Sequence, residues 1–330
     1  MPAPASSHPR LAAAFAVAPD VPAVPVSPRV ARVGNLALKS FGPEEVPRAR
    51  LEAAILRHLE GGDGYSVQSI VRPRTGADLH VDADGALLAT RWEEGAPVPY
   101  GRIPVDGWRR LGGSLASLHR RLEAPGAPAP PARLGELVRA RDLAVVRSHL
   151  LADLTAARER GERGDPGAPA ALRLLDARLR LLDVRGARDL PAGCDDASLI
   201  HNDFNEHNYL FGGARAPVVV DWERAIGAPR EYEVARCLAH LPAAWPEAAR
   251  AFLDAYLAVR PLDVDAMRGC LDVALTEHAA KRWPVARWLA GEPDAAARLA
   301  SLAPVVESLS RGCDVIERFY RAALGGGGPC

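Results

Sequence analysis

Asparagine, lysine and glutamine are nearly missing from this chain. Its 330 residues include four asparagines, two lysines (Lys39 and Lys281) and one glutamine, Gln68. Arginine stands where lysine would be common, as GC-rich coding favours. The positions that keep Lys or Asn are therefore the first places to look for chemistry that needs them. Long apolar runs are also absent: none approaches the length of about 18 residues that spans a bilayer. Charge of one sign is not in excess, since 41 Lys and Arg balance 41 Asp and Glu. That removes the usual electrostatic argument for a nucleic acid or a membrane surface as partner. The five cysteines are odd in number, widely spaced and free of any CxxC. This excludes a disulfide framework and a zinc-type pairing, and it predicts reduced thiols in a cytoplasmic protein. No internal repeat is present. The start, "HPRLAAAFAVAPD", imitates a signal peptide only faintly and is read as a short N-terminal helix.

What is present suits a folded protein with one large domain or two lobes: 48% of the residues are hydrophobic and 25% charged. Residues 1–28, rich in Pro and Ala, are expected to be partly disordered. "RVARVGNLALKSFG" (29–42) alternates apolar and polar residues around Gly34-Asn35, the pattern of a β-hairpin. Pro43 ends it. Leu51, Ile55 and Leu59 then mark one face of a helix over 44–62, closed by Gly61-Gly62. "YSVQSIVRP", "ADLHVDADG" and "ALLATRWEEG" (65–95) read as strands, with a turn at DADG. Beyond Gly95 the pattern becomes helical. Leu111, Leu115, Leu118 and Leu122 share a face, 133–159 and 168–183 read as one helix each, and 230–323 reads as helices broken at Pro242, Pro246, Pro261, Pro284 and Pro304. "GGGGPC" reads as a flexible tail. The expected fold is α+β and bilobal: a small antiparallel-β lobe with one helix (1–95), then a larger, mostly helical lobe (96–330).

One island interrupts the helical half. "LIHNDFNEHNYLFGGARAPVVVD" (199–221) holds three of the four asparagines, beside His201, Asp203 and His207. "NYLF-GG-ARAPVVVD" reads as strand, Gly-Gly turn, strand. Such a hairpin brings Asp203, Asn208 and Asp221 to one end. A carboxylate with an amide oxygen is a hard, all-oxygen ligand set that suits Mg²⁺. A second carboxylate can orient and deprotonate a hydroxyl. A rival arrangement is a transition-metal site built from His201, Asp203, His207 and Asp221.

"HNDFNEHN" fits H-x-D-x-x-x-x-N, and thirteen residues after its Asn an Asp closes the apolar strand in "VVVDWE". This resembles the catalytic core of the aminoglycoside phosphotransferase and choline kinase-like family, which has a protein-kinase-like fold. "LGGSLASLH" (111–119) and "GAPREYEVAR" (227–236) resemble further segments of that family, the latter with Glu233 where Asp is usual. The resemblance implies that Lys39, in "NLALKSF", contacts the nucleotide phosphates and is paired with Glu52, with Glu44, Glu45 and Glu60 as competitors. It implies that Asp203 is the base for the acceptor hydroxyl, that His201 orders the catalytic loop, and that Asn208 and Asp221 hold Mg²⁺. It assigns Thr90, Arg91, Trp92 and Glu93 to a hinge that contacts the base. Ser27 stands in for a glycine-rich phosphate loop, which this chain lacks. Glu206, Glu223 and Trp283 are candidate acceptor contacts; Trp283 and Trp288 could cover an acceptor, with core packing the better reading of both.

The expected activity is therefore ATP-dependent O-phosphorylation, with GTP as an alternative donor. The expected acceptor is a small hydroxylated metabolite or antibiotic of the aminoglycoside, amino-alcohol or peptide-antibiotic type. Between residues 195 and 236, eight acids face four arginines, which suits a cationic acceptor. A Ser/Thr kinase acting on a precursor peptide in natural-product biosynthesis is the second reading, and a nucleotide-binding pseudokinase partner the third. The expected partner is the acceptor alone, with no nucleic acid and no membrane, for a monomer or homodimer.

Overall fold

The computed structural model describes residues 14–324 except 19, 186–193, 196, 213–215 and 240. The expected disorder of residues 1–28, the N-terminal helix, the Gly-Gly turn at 212–213 and the tail at 325–330 lie wholly or partly outside the described residues. The chain forms two compact units. One takes in everything up to Pro131 together with Ser198–Ile226 and Ala258–Arg260. The other takes in Ala132–Ala197, Gly227–Leu257 and the chain from Pro261 onward.

The first unit is built on a five-stranded antiparallel sheet. Its strands are β1 (Ala23–Pro25), β2 (Val30–Val33), β3 (Leu36–Phe41), β5 (His80–Asp82) and β6 (Gly85–Arg91), in the order β1-β2-β3-β6-β5. The hairpin expected at Gly34-Asn35 forms, pairing Val33 with Leu36 and Val30 with Lys39 across a two-residue turn. Gly34 supplies the positive φ (60°) that such a turn requires. Because side chains alternate along a strand, register decides which residues meet which face. Leu36, Leu38, Leu87 and Ala89 enter an apolar cluster with Ala14, Phe15 and Val33. Ala37, Lys39, Leu88 and Thr90 take the opposite face and line a cavity.

The 82–85 hairpin turns at Ala83-Asp84, as the DADG motif predicts. Gly85 has φ 120°, and a Cβ there would lie 2.1 Å from the Phe41 carbonyl oxygen. The strands would have to part to admit it, while an L side chain would be strained at that φ. Gly85→Ala should therefore cost about 2 kcal/mol or more of stability, read as a lower midpoint in denaturant unfolding.

Helix α1 (Val46–Leu59), entered through a short 3₁₀ turn at Pro43–Glu45, packs on β6. Its buried face is Ala49, Glu52, Ala53, Ile55, Leu56 and Leu59. Leu51, expected on that face, sits at its margin, half-buried. The segment at 65–73 also departs from expectation. It does not form a full strand of the main sheet. Its two residues β4 (Ser66–Val67) run parallel to β9 (Val218–Val219), which pairs antiparallel with β8 (Tyr209–Leu210). Further along, Ile70 bridges to Thr90. Helix α2 (Val105–Leu122) buries Leu111, Leu115, Leu118 and Leu122, and packs on β7 (Leu199–Ile200).

The second unit is helical. The single helix expected over 133–159 is two, α3 (Leu134–Arg139) and α4 (Leu143–Glu162). Asp142 starts the second by accepting hydrogen bonds from the N–H groups of Ala144 and Val145. Helix α5 (Ala168–Arg185) packs against α4 and against the last helix, α11 (Ala295–Leu324). Between them in sequence come α6 (Arg230–Leu238), α7 (Leu241–Ala244), α8 (Pro246–Leu257), α9 (Val264–Ala280) and α10 (Trp283–Leu289). Pro304 was expected to break the last helix, yet α11 runs through it. One missing N–H is outweighed there by an apolar face packed along its length, with Leu299, Ala303, Val306, Leu309 and Ile316 buried.

Trp288 is buried and donates through Nε1 to Asp165. Trp283, for which core packing was the better reading, is 45% exposed. Among the described residues, the cysteines are all buried and none is in a disulfide, and no helix is long and apolar enough to cross a membrane.

Candidate active site

All the residues of this site belong to the first unit. Strand β3 delivers Lys39 to the cavity face, and α1 delivers Glu52 opposite it. Lys39 Nζ lies 2.9 Å and 3.2 Å from the two Glu52 oxygens. Glu52 is 2% exposed, so this is a desolvated pair, and of the four glutamates that the sequence offered it is the one that meets Lys39. The same ammonium lies 2.6 Å from Asp221 Oδ1 and 3.5 Å from Glu223 Oε2. Burial pulls the Lys39 pKa down, but the Glu52 and Asp221 carboxylates outweigh it and leave the ammonium above its ordinary value. Burial pushes the Glu52 carboxyl up, a rise that Lys39 only partly offsets.

The catalytic-loop motif folds around Asp203. Asn205 Nδ2 donates to its Oδ1 at 2.9 Å, and Asn208 Nδ2 donates to its Oδ2 at 3.0 Å. The two amides also donate to the Asp203 carbonyl oxygen, so they fix backbone and side chain together. His201, 1% exposed, lies beneath this loop. Its Nε2 is 3.0 Å from the Val220 carbonyl oxygen, and its Nδ1 is 3.2 Å from the Asp203 N–H. A carbonyl only accepts and an N–H only donates, so the imidazole is neutral with its proton on Nε2. Its ring packs 4.5 Å from that of Trp222, which is fully buried. His201 thus ties the Asp203 loop to Val220, the residue before Asp221.

Asn202 makes a second tie. It adopts φ 61°, which asparagine tolerates, and donates to the Arg224 carbonyl oxygen at 2.9 Å. Asp221 is itself left-handed, at φ 66° and ψ 69°. Strain of this kind collects at functional sites. The roles of Asn202 and Asn205 were not read from the sequence, although the scarcity of asparagine pointed at the segment.

A cavity of about 520 Å³ opens beside Lys39; Asp203 and His201 are not among its lining residues. Lys39, Glu52, Asn208, Asp221 and Glu223 line it, and so do Thr90, Trp92 and Glu93 of the expected hinge. Arg91 is exposed and does not line it; its N–H donates to Ser69. Gln68, the sole glutamine, lines it too and donates to Thr90 Oγ1 at 3.0 Å. Ser27 sits at its rim.

The three expected acceptor contacts have different surroundings. Glu223 is beside Lys39 and Arg29, Glu206 accepts a hydrogen bond from the Tyr100 N–H, and Trp283 is on α10 in the second unit, with Arg298 over its ring.

The oxygen donors fit a hard cation. Asn208 has its Nδ2 engaged by Asp203, which leaves Oδ1 as its ligand atom. Asp221 has one oxygen on Lys39 and a second with no hydrogen bond among the described residues. The transition-metal arrangement does not form: among the described residues no three His, Cys, Asp or Glu side chains cluster as ligands. Both His201 nitrogens are engaged as above, and the His207 side chain is 80% exposed.

The geometry agrees with what the chain is similar to. A family model described as a phosphotransferase enzyme family matches residues 26–270. No curated protein matches the chain. Among solved structures, the fold is similar to a spectinomycin phosphotransferase in complex with ADP and spectinomycin: 14% identity, TM-score 0.60, over 94% of this chain and 98% of that one. It is similar to an amicoumacin kinase in complex with AMP-PNP and Ca²⁺: 15% identity, TM-score 0.59, over 92% and 93%. It is also similar to a choline/ethanolamine kinase family protein from Mesorhizobium loti: 18% identity, TM-score 0.56, over 96% and 99%. At these identities the likeness is one of fold.

Proposed function

The chain belongs to the phosphotransferase enzyme family, and on that premise we propose that it transfers the γ-phosphoryl group of ATP to a hydroxyl of a small polar acceptor. One observation carries the reading. Lys39 is clamped between Glu52 and Asp221 on a cavity wall, and on the loop that His201 ties to Val220, the residue before Asp221, an aspartate is held by two amides, one of them from Asn208. That is the constellation phosphoryl transfer needs: a cation for the phosphates, hard oxygen donors for Mg²⁺, and a carboxylate for the acceptor.

In this reading Lys39 neutralises the α- and β-phosphates, and Glu52 fixes the direction of its ammonium. Thr90, Trp92 and Glu93 flank the base. Asn208 Oδ1 and Asp221 would hold Mg²⁺, which when bound would offset charge on the phosphate oxygens. Asp203 accepts the proton of the acceptor O–H as its oxygen bonds to Pγ and the bond from Pγ to the bridging oxygen breaks, releasing ADP. Two hydrogen bonds from neutral amides keep Asp203 oriented without adding a counter-charge that would weaken it as a base. Positioning and charge neutralisation provide most of the rate in this chemistry.

The acidic excess of residues 195–236 does not favour a cationic acceptor, because most of it has partners inside the fold. Asp195 pairs with Arg139, Glu206 with the Tyr100 N–H, Asp221 with Lys39, Glu223 with Arg29 and Glu231 with Arg230, while Glu233 is buried. The acceptor classes to test are therefore those in the names of the similar structures, together with hydroxyl-bearing peptides.

The experiment is ADP release and product mass spectrometry over aminocyclitol antibiotics, amicoumacin-type compounds, amino alcohols, sugars and peptides. The expected result is one class that gains a single phosphoryl group, with kcat/KM well above the others. Tight binding of Mg-nucleotide without phosphorylation of any class would replace the enzyme reading with that of a nucleotide-binding partner protein.

A further inference from the structure

We propose that Arg29 is a second cation for the nucleotide phosphates, serving at the β1–β2 turn in place of the backbone N–H groups of a glycine-rich loop. The inference rests on the phosphotransferase reading, which puts the phosphates beside Lys39.

A glycine-rich loop binds phosphate because successive N–H groups point outward into a nest. Here every N–H of the turn is engaged inside it. Those of Val26 and Ser27 donate to the Val30 carbonyl oxygen at 2.9 and 3.0 Å. Pro28 has none. The Arg29 N–H reaches Ser27 Oγ at 3.4 Å, and the Val30 N–H reaches Ser27 O at 3.3 Å and Oγ at 3.2 Å. The turn is closed and stiff, and its backbone has nothing to offer an anion. What it does present is the Arg29 side chain, which lines the same cavity as Lys39.

Arg29 already holds two anionic oxygens, one of them, from Glu223, on that cavity wall. Its Nη1 is 3.0 Å from Glu45 Oε1 and 3.2 Å from Glu223 Oε2. The same Glu223 oxygen is 3.5 Å from Lys39 Nζ. Two cations therefore converge on one carboxylate oxygen beside Asp221. A phosphate oxygen is likewise an acceptor only, carries more charge, and is matched by the planar fork of a guanidinium. Polyphosphate at Lys39 thus comes within reach of Arg29, with Glu223 giving up its place. The bland alternative is that Arg29 is a strut joining Glu45 to Glu223. A strut affects stability but does not distinguish a nucleotide with a phosphate chain from one without.

The test is calorimetric titration of ATP, ADP and adenosine in the presence of Mg²⁺ into the wild type, Arg29→Met and Arg29→Lys. Loss of a charge-assisted contact should weaken ATP about ten- to hundredfold in Arg29→Met while adenosine stays within about twofold. Arg29→Lys keeps the charge and loses the fork, so it should fall between. ATP weakened no more than adenosine would overturn the proposal and leave Arg29 a strut. If Arg29→Met does not fold, Arg29→Lys decides alone: a larger loss for ATP than for adenosine supports the phosphate contact, and equal losses overturn it. Failure of the wild type to bind either ATP or GTP would overturn the phosphotransferase reading and this inference with it, an outcome distinct from the others.

Discussion

Asp203→Asn should lower turnover by about a thousandfold while leaving nucleotide affinity within about twofold, because the substitution removes the base and leaves the phosphate site alone. The change is nearly isosteric, so bulk packing around His201 and Phe204 is kept. Its local consequence is specific. Both Asp203 oxygens accept from amide N–H groups, of Asn205 and of Asn208. An asparagine at 203 must turn its own NH₂ toward one of them, placing donor against donor. If that partner is Asn208, its amide rotates and the donor set for Mg²⁺ changes with it. Turnover measured with calorimetric nucleotide binding separates these outcomes. A loss of turnover alone marks the base, whereas a parallel loss of Mg-dependent affinity marks the rotation of Asn208. Turnover within tenfold of wild type would remove Asp203 from its proposed role.

Lys39→Met should be the most damaging substitution for activity and stability together. Lys39 is the ammonium shared by Glu52, Asp221 and Glu223. Without it, Glu52 is a carboxylate buried at 2% exposure with no counter-charge. Breaking a buried pair by removing one partner costs about 3–5 kcal/mol. The loss should depend on pH in a definite direction. Burial already pushes the Glu52 carboxyl up in the folded protein, and the variant lacks the lysine that holds it back. A folded pKa above the unfolded one means the native state keeps a proton that the unfolded state has lost. Stability is then favoured below the unfolded value and declines as pH rises through the folded one. The deficit of Lys39→Met against wild type should therefore be largest at neutral pH and shrink toward the acid side, as read by urea midpoints across pH. Adding Glu52→Leu should recover much of the stability, because an apolar residue suits the site once the lysine has gone. Turnover should stay lost in the double variant. A deficit that grows on acidification would show that Glu52 is not the group left uncompensated.

How much of this could be read from the sequence depends on the range of the interaction involved. The β2–β3 hairpin was legible because its signals are local: Gly34 at a two-residue turn, and alternation that separates Leu36 and Leu38 from Ala37 and Lys39. The catalytic loop was legible because its spacing is a fixed feature of one short segment, and because asparagine is so scarce that three together stand out. The break at Asp142 and the continuation of the last helix through Pro304 were misread for two reasons. Leucine spacing does not register the three residues, 140–142, between the helices, and tertiary packing overrides the proline. The strand expected over 65–73 was misread because its partner β9 lies some 150 residues away and leaves no local trace.

The order of elements, the face of each strand and the spacing of Asp203 to Asn208 and Asp221 belong to the sequence alone, since backbone sterics and side-chain periodicity act between neighbours. The tertiary structure chose Glu52 over three other glutamates for Lys39. It also brought Arg29 to Glu223 across a separation of 194 residues. Those choices rest on close contacts between segments whose approach depends on every intervening element, and no periodicity in any of them encodes it.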